Sequence, residues 1–162
     1  LKNLPIISRK YRPFDTEQIS MFKYIFQIYL PLKLSSNILN IIFYDNLKIN
    51  HQAVFKDLYL NLNQIYEMKN KGMIFGNHTF NHYPLTKLNS KQQFNEIKRN
   101  HDFLKKHDLL NLNILAYPYG VYNKTTIKIL KKLKYNFAFS VKQSKSSIKN
   151  PFEISRVDAN YL

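Results

Sequence analysis

Asn113-Ile114-Leu115-Ala116-Tyr117-Pro118-Tyr119-Gly120 opens as an apolar run and ends in a Pro-Gly turn, the pattern of a buried strand that stops abruptly. Asn123 then stands where a helix cap belongs. Behind it Ile127, Leu130 and Leu133 recur at helical spacing, with Lys124, Lys128, Lys131, Lys132 and Lys134 elsewhere on the helix. Phe137-Ala138-Phe139-Ser140-Val141 is a second apolar run. Strand, helix and strand in this order predict parallel strands joined by a crossover helix, hence an α/β fold. Working outward, Met73-Ile74-Phe75 is expected as another buried strand, and Ile154 to Val157 as a fourth. Between them Ser90 to Gln93 opens a long helix with Phe94, Ile97 and Leu104 on its apolar face. In such folds chemistry sits where strands end and loops begin. His78 and Pro118 both fall there.

Upstream, residues 1–14 look irregular. Asp15-Thr16-Glu17-Gln18 has the form of a capping box and predicts a helix carrying Ile19, Phe22, Phe26 and Tyr29 on one face, ended by Pro31. A second helix is expected from Ser35 or Ser36, burying Ile38, Ile41 and Ile42. Asn61 and Gln64 pair as another capping box, opening a helix through Leu62, Ile65 and Met68 that stops at Gly72. No repeat or low-complexity linker divides the chain. It reads as one structural unit with an N-terminal irregular and helical segment (1–57) and an α/β core (58–162).

Composition narrows the function classes. The 162 residues are 44% apolar and 15% aromatic, which excludes a disordered chain. Cysteine is absent, which excludes a disulfide scaffold, an Fe–S site and a thiolate zinc finger. No apolar run approaches the ~18 residues of a membrane span. No signal peptide opens the chain, and Leu1 in place of Met leaves the compartment unread. The net charge of +15 favours anionic partners, but the lysines are scattered, and the Lys/Asn/Ile/Tyr bias resembles that of an AT-rich genome.

Few residues can carry chemistry. His78 and His82 stand four apart, which on a helical turn brings two imidazoles to one side, within reach of one metal ion. Two surface histidines would have the same spacing, and two imidazoles do not complete a zinc site, so a carboxylate must come from elsewhere. His101 continues the apolar stripe of its helix and reads as structural. His51 and His107 carry no argument. Tyr117-Pro118-Tyr119-Gly120 is either an ordinary turn or a rigid loop that turns a backbone N–H toward a ligand oxygen. Glu153, Arg156 and Asp158 are consistent with a surface ion-pair cluster.

Taken in order, these pieces resemble a known family. Met73 to His82 followed by Leu85-Thr86-Lys87-Leu88 looks like the second motif of polysaccharide deacetylases with the NodB homology domain, where a His-Ser/Thr-x-x-His run supplies two metal-binding imidazoles. Ala116-Tyr117-Pro118-Tyr119-Gly120 resembles their third motif, Arg-x-Pro-Tyr/Phe-Gly. Ile154-Ser155-Arg156-Val157-Asp158 resembles the later Arg-bearing strand of a bacterial branch. The likeness covers about residues 58–158, and residues 15–45 resemble a helical insertion of that branch.

The resemblance implies a deformed (β/α) barrel of the NodB type and metal-dependent hydrolysis of N-acetyl groups on a sugar or glycan. It implies His78 and His82 as ligands of a divalent ion, zinc first. Tyr119 would serve as oxyanion donor through its N–H, Arg156 would orient or charge-stabilise the base, and Tyr117 and Pro118 would line the substrate site. Three departures stand out. The first motif, Thr/Ser-Phe-Asp-Asp, is absent, and with it the base and metal-binding aspartates; Phe14-Asp15-Thr16 is a poor substitute. Ala116 replaces the arginine of the third motif, and no Leu-x-His follows before Leu162. The barrel is therefore expected to lack its first strand, and the chain as given to bind metal weakly and not to deacetylate. The rival reading is a non-catalytic basic protein that binds anionic glycan, lipid or nucleic acid. No recognised nucleic-acid module supports the last.

Overall fold

The computed structural model describes residues 15–46, 51–141 and 150–156, which fall in two compact units, 1–59 and 60–162. Residues 1–14 and Asp158 lie outside the described residues.

In the first unit, α1 (Glu17–Tyr24) is capped by Thr16, whose side chain accepts from the Ile19 N–H at 3.3 Å. Asp15, the expected cap, instead takes the Lys23 ammonium at 2.7 and 2.9 Å. The helix then widens into a π turn over Ile25–Tyr29, closed by the Leu30 N–H on the Ile25 carbonyl at 2.8 Å. This wider turn breaks the 3.6-residue period on which the expected apolar face rested. Ile19, Phe22 and Tyr29 are exposed. Pro31 does not merely end a helix. Its carbonyl accepts from Ser35, so α2 (Leu32–Asn46) starts earlier than expected. Ile41 and Ile42 are exposed, not buried. The buried residues here are small: Ser20 and Ser35, the latter donating its hydroxyl to the Phe26 carbonyl at 2.6 Å. A short helix, α3 (His51–Leu58), was not anticipated.

The second unit begins with α4 (Leu62–Asn70), where the Asn61/Gln64 capping box forms with bonds of 3.0 and 2.8 Å. Gly72, at φ +88°, turns the chain out of the helix. Met73-Ile74-Phe75 is not the buried strand its composition suggests. Met73 and Ile74 are exposed, and the segment reaches the sheet only through one parallel bridge, Asn77 to Leu115. On its other side no strand pairs with it among the described residues, so no ladder holds the run extended. The long helix α5 (Ser90–Lys106) follows, boxed by Asn89 and Gln92, one residue earlier than expected.

The sheet is short and parallel, in the order β1 (Ile114–Ala116), β2 (Phe137–Ser140), β3 (Ile154–Ser155). The crossover from β1 to β2 is α6 (Lys124–Lys132), boxed by Asn123 and Thr126. The fold is α/β as expected, and among the described residues the sheet is open and does not close into a barrel. Leu85, Ile97, Leu115, Leu130 and Ala138 are wholly buried between sheet and helices. One buried polar chain ties α6 to α5. The Thr126 hydroxyl donates to Gln93 at 2.7 Å, and the Gln93 amide donates to the Leu88 carbonyl at 3.0 Å.

The turn after β1 is fixed from below and behind. Tyr117 is wholly buried, stacks on Tyr122, and donates its hydroxyl to the Phe152 carbonyl at 2.9 Å; burial pushes that hydroxyl's pKa up. Gly120 has φ +68°, and a Cβ there would stand 2.2 Å from Val141 Cγ2 and 2.8 Å from the Val141 nitrogen. Gly120→Ala is therefore expected to cost on the order of 1–3 kcal/mol by overpacking alone, read as a lower midpoint in urea unfolding. Tyr117→Phe leaves the Phe152 carbonyl without its donor and should cost about 1–3 kcal/mol in the same measurement.

Candidate metal centre

Parallel pairing brings the C-terminal ends of these segments to one edge of the sheet. The Asn77 N–H donates to Ile114 O at 2.8 Å and its carbonyl accepts from Ala116 at 2.9 Å, so His78 emerges beside the end of β1. The Tyr117 N–H donates to Phe139 O, and the Arg156 N–H to Ser140 O, which aligns the ends of β2 and β3 with it.

His78 and His82 converge there. Their Nε2 atoms lie 3.0 Å apart and their ring centroids 4.6 Å. His78 Nδ1 stands 2.7 Å from the Ala116 carbonyl, which can only accept. Nδ1 therefore carries a proton, so a neutral His78 has its lone pair on Nε2, facing His82. The Tyr119 ring walls the other side, 4.9 Å from the His82 ring and edge-on to it. Burial first, then the His78 charge, and more weakly that of Arg156, hold the His82 pKa below the imidazole range against an opposing backbone hydrogen bond. His82 therefore loses its second proton at lower pH than a free imidazole.

The loop between the imidazoles is unusual backbone. Thr79 and His82 have φ of +67° and +58°, and Tyr119 opposite has +55°, a region that side-chain-bearing residues avoid at a cost of roughly 1–3 kcal/mol each. Asn77, 1% exposed, holds the first of them, its Oδ1 accepting from the Thr79 N–H at 2.7 Å. The Thr79 hydroxyl is buried with no hydrogen-bond partner among the described residues.

Two imidazole nitrogens at this distance fit two corners of a tetrahedral ion, whose nitrogen ligands at ~2.0–2.1 Å stand about 3.3 Å apart. Among the described residues no third His, Cys, Asp or Glu joins them. The sequence-predicted residues divide accordingly. His78, His82 and Tyr119 come together, and the Arg156 charge acts on His82. Tyr117 and Pro118, expected to line a substrate site, are both buried in the interior. Glu153 interacts with the Tyr122 hydroxyl, and no ion pair joins it to Arg156 among the described residues. His101 is structural, with Nδ1 3.2 Å from the Tyr135 hydroxyl, while His107 meets the Tyr66 hydroxyl at 2.8 Å. The sequence reading missed the asparagines. Each of the two histidines directly follows one, Asn77-His78 and Asn81-His82, and that repeat was the available signal.

The sequence model of polysaccharide deacetylases matches residues 42–138, more than half of the chain. Among solved structures, the Streptococcus pyogenes deacetylase PplD in complex with acetate is similar at 34% identity and a TM-score of 0.57. That match covers 60% of this chain and 44% of PplD, so the chain spans less than half the length of that protein. No curated protein sequence matches. With two imidazoles converging beside a Pro-Tyr-Gly turn at the ends of parallel strands, and with these matches, the chain belongs to the polysaccharide deacetylase family.

Proposed function

We propose that the chain carries the histidine half of a metal site for hydrolysis of an N-acetyl group on a sugar or glycan, on part of a NodB-type barrel with its helical segment (1–57) ahead of the core (58–162). The observation that carries this reading is the 3.0 Å approach of the two Nε2 atoms, with the His78 tautomer set by Ala116. A bound divalent ion, zinc first, supplies polarisation of the acetyl carbonyl and lowers the pKa of a water molecule toward ~7. His78 and His82 would hold that ion through Nε2. The Ala116 carbonyl keeps the His78 proton on Nδ1, as an outer partner does for a ligating imidazole. The Tyr119 ring packs edge-on against the His82 ring, and its backbone N–H is assigned to the carbonyl oxygen as negative charge develops. Arg156 would orient or charge-stabilise a general-base carboxylate brought to this edge.

Two imidazoles alone bind zinc weakly, because protons compete at each ligand and no third donor joins them among the described residues. Without a carboxylate beside the water, general-base assistance of ~10²–10⁴-fold is also lost. The 162-residue chain is accordingly expected to take up one Zn²⁺ or Co²⁺ weakly and to release no acetate from an N-acetylated oligosaccharide. His78→Ala and His82→Ala should each abolish the metal uptake, measured by competition with a chromophoric chelator. Uptake unchanged by both substitutions overturns the reading. Clear turnover lost in His78→Ala keeps the reading but corrects the ligand count, with Asp15 and Asp158 the first carboxylates to replace.

A further inference from the structure

Both asparagines that precede the histidines are gripped by one helix. Asn77 donates its amide to the Ile97 carbonyl at 2.9 Å and to the Tyr135 hydroxyl at 2.6 Å, and accepts from Asn100 at 3.2 Å. Four residues on, Glu96 holds Asn81 at two points, one carboxylate oxygen accepting from its backbone N–H at 2.8 Å and the other from its side-chain amide at 2.6 Å. Between them the Arg99 guanidinium lies over the Phe80 ring, 3.6 Å from its centre. Ile97, Arg99 and Asn100 are neighbours of Glu96 on α5. One helix face therefore touches the residues at 77, 80 and 81.

Glu96 is the unexpected member. It is 7% exposed, and no cation pairs with it among the described residues. A buried carboxylate so placed is costly unless its hydrogen bonds compensate. Those bonds go to the residue just before His82, itself in the left-handed region at φ +58°. The Asn77 bonds likewise end at the residue just before His78. A loop containing two left-handed non-glycine residues needs such external anchors to hold one conformation.

We infer that Glu96 is a positioning residue which, with Asn77, sets the separation and orientation of the two imidazoles. Asn77 fixes the first through its peptide and side chain, and Glu96 fixes the second by clamping Asn81 as a two-point acceptor. The inference takes from the proposed function that the imidazoles are ligands, but the clamp is testable without metal. Glu96→Gln keeps size and shape yet offers only one acceptor oxygen to two donors.

The test compares wild type, Glu96→Gln, Asn81→Ala and Leu130→Ala by amide hydrogen exchange, imidazole ¹H–¹⁵N spectra and Zn²⁺ competition. In Glu96→Gln the Asn81 amide should exchange ~10-fold faster or more, and the distinct His78 Nδ1–H tautomer signature should average. Zinc affinity should fall ~10–100-fold, as for lost outer partners of ligating histidines. Leu130→Ala, a core truncation away from the loop, should lower the melting temperature without these local changes. If Glu96→Gln fails to fold, Asn81→Ala, at an exposed residue, decides by the same readouts with smaller changes in the same direction. Unchanged loop exchange and imidazole spectra in the folded variant overturn the inference. If wild type takes up no zinc, the proposed function falls, while exchange and imidazole spectra still decide the clamp.

Discussion

The peptide of Asn77 bonds on both sides of Leu115, and everything at the candidate site depends on that one parallel bridge. It fixes where the chain leaves the sheet, so that His78 reaches the Ala116 carbonyl and exposes its Nε2. It also fixes direction. A parallel pairing puts the residue after Asn77 and the turn after β1 at the same edge, where the Tyr119 ring meets His82. With an antiparallel bridge the two motifs would stand at opposite ends of the sheet.

The strain at this edge has a structural counterpart. Three non-glycine residues in the left-handed region, Thr79, His82 and Tyr119, would each relax if the loops were free. They persist because the surroundings over-determine them: Asn77 and Glu96 on one loop, and the buried Tyr117, Pro118 and Gly120 on the other. The buried polar pair Thr126–Gln93 couples α6 to α5, the helix that carries Glu96. The rigid part of the unit and its chemically interesting part are thus separate residues on shared elements. The Tyr117 hydroxyl, donated to Phe152, belongs to the first group although its motif suggested the second.

Legibility in the sequence followed the range of the interaction responsible. Capping boxes are local, and those at Asn61 and Asn123 are where the residues place them. The parallel order of β1 and β2 was legible because the crossover helix lies between them in the chain. Met73-Ile74-Phe75 was misread because composition marks a segment as strand-like, whereas a strand exists only when a neighbour pairs with it. The face of α1 was misread because a π turn alters the period without a mark in the residue types. The His78–His82 approach was anticipated from spacing, yet its cause was not helical. Left-handed residues fold the loop back, and the anchors that hold them come from α5, 14 or more residues further along. No spacing rule reports such a contact.

The same reasoning explains why a pair of histidines without a third donor can still be well ordered. Metal binding often supplies the energy that holds its own ligands together. Here the two imidazoles are held by hydrogen bonds that do not involve an ion: Ala116 on His78, Asn77 beneath Thr79, and Glu96 on Asn81. Partial desolvation first, and then the positive charges beside it, hold the His82 pKa below the imidazole range, so that ring loses its second proton at lower pH than a free imidazole. The arrangement costs left-handed backbone and a buried carboxylate, and offsets both with contacts to one long helix. Under the proposed function a carboxylate would be brought to an edge that is already shaped, so the chemistry would depend on that third group while the geometry of the imidazole pair does not.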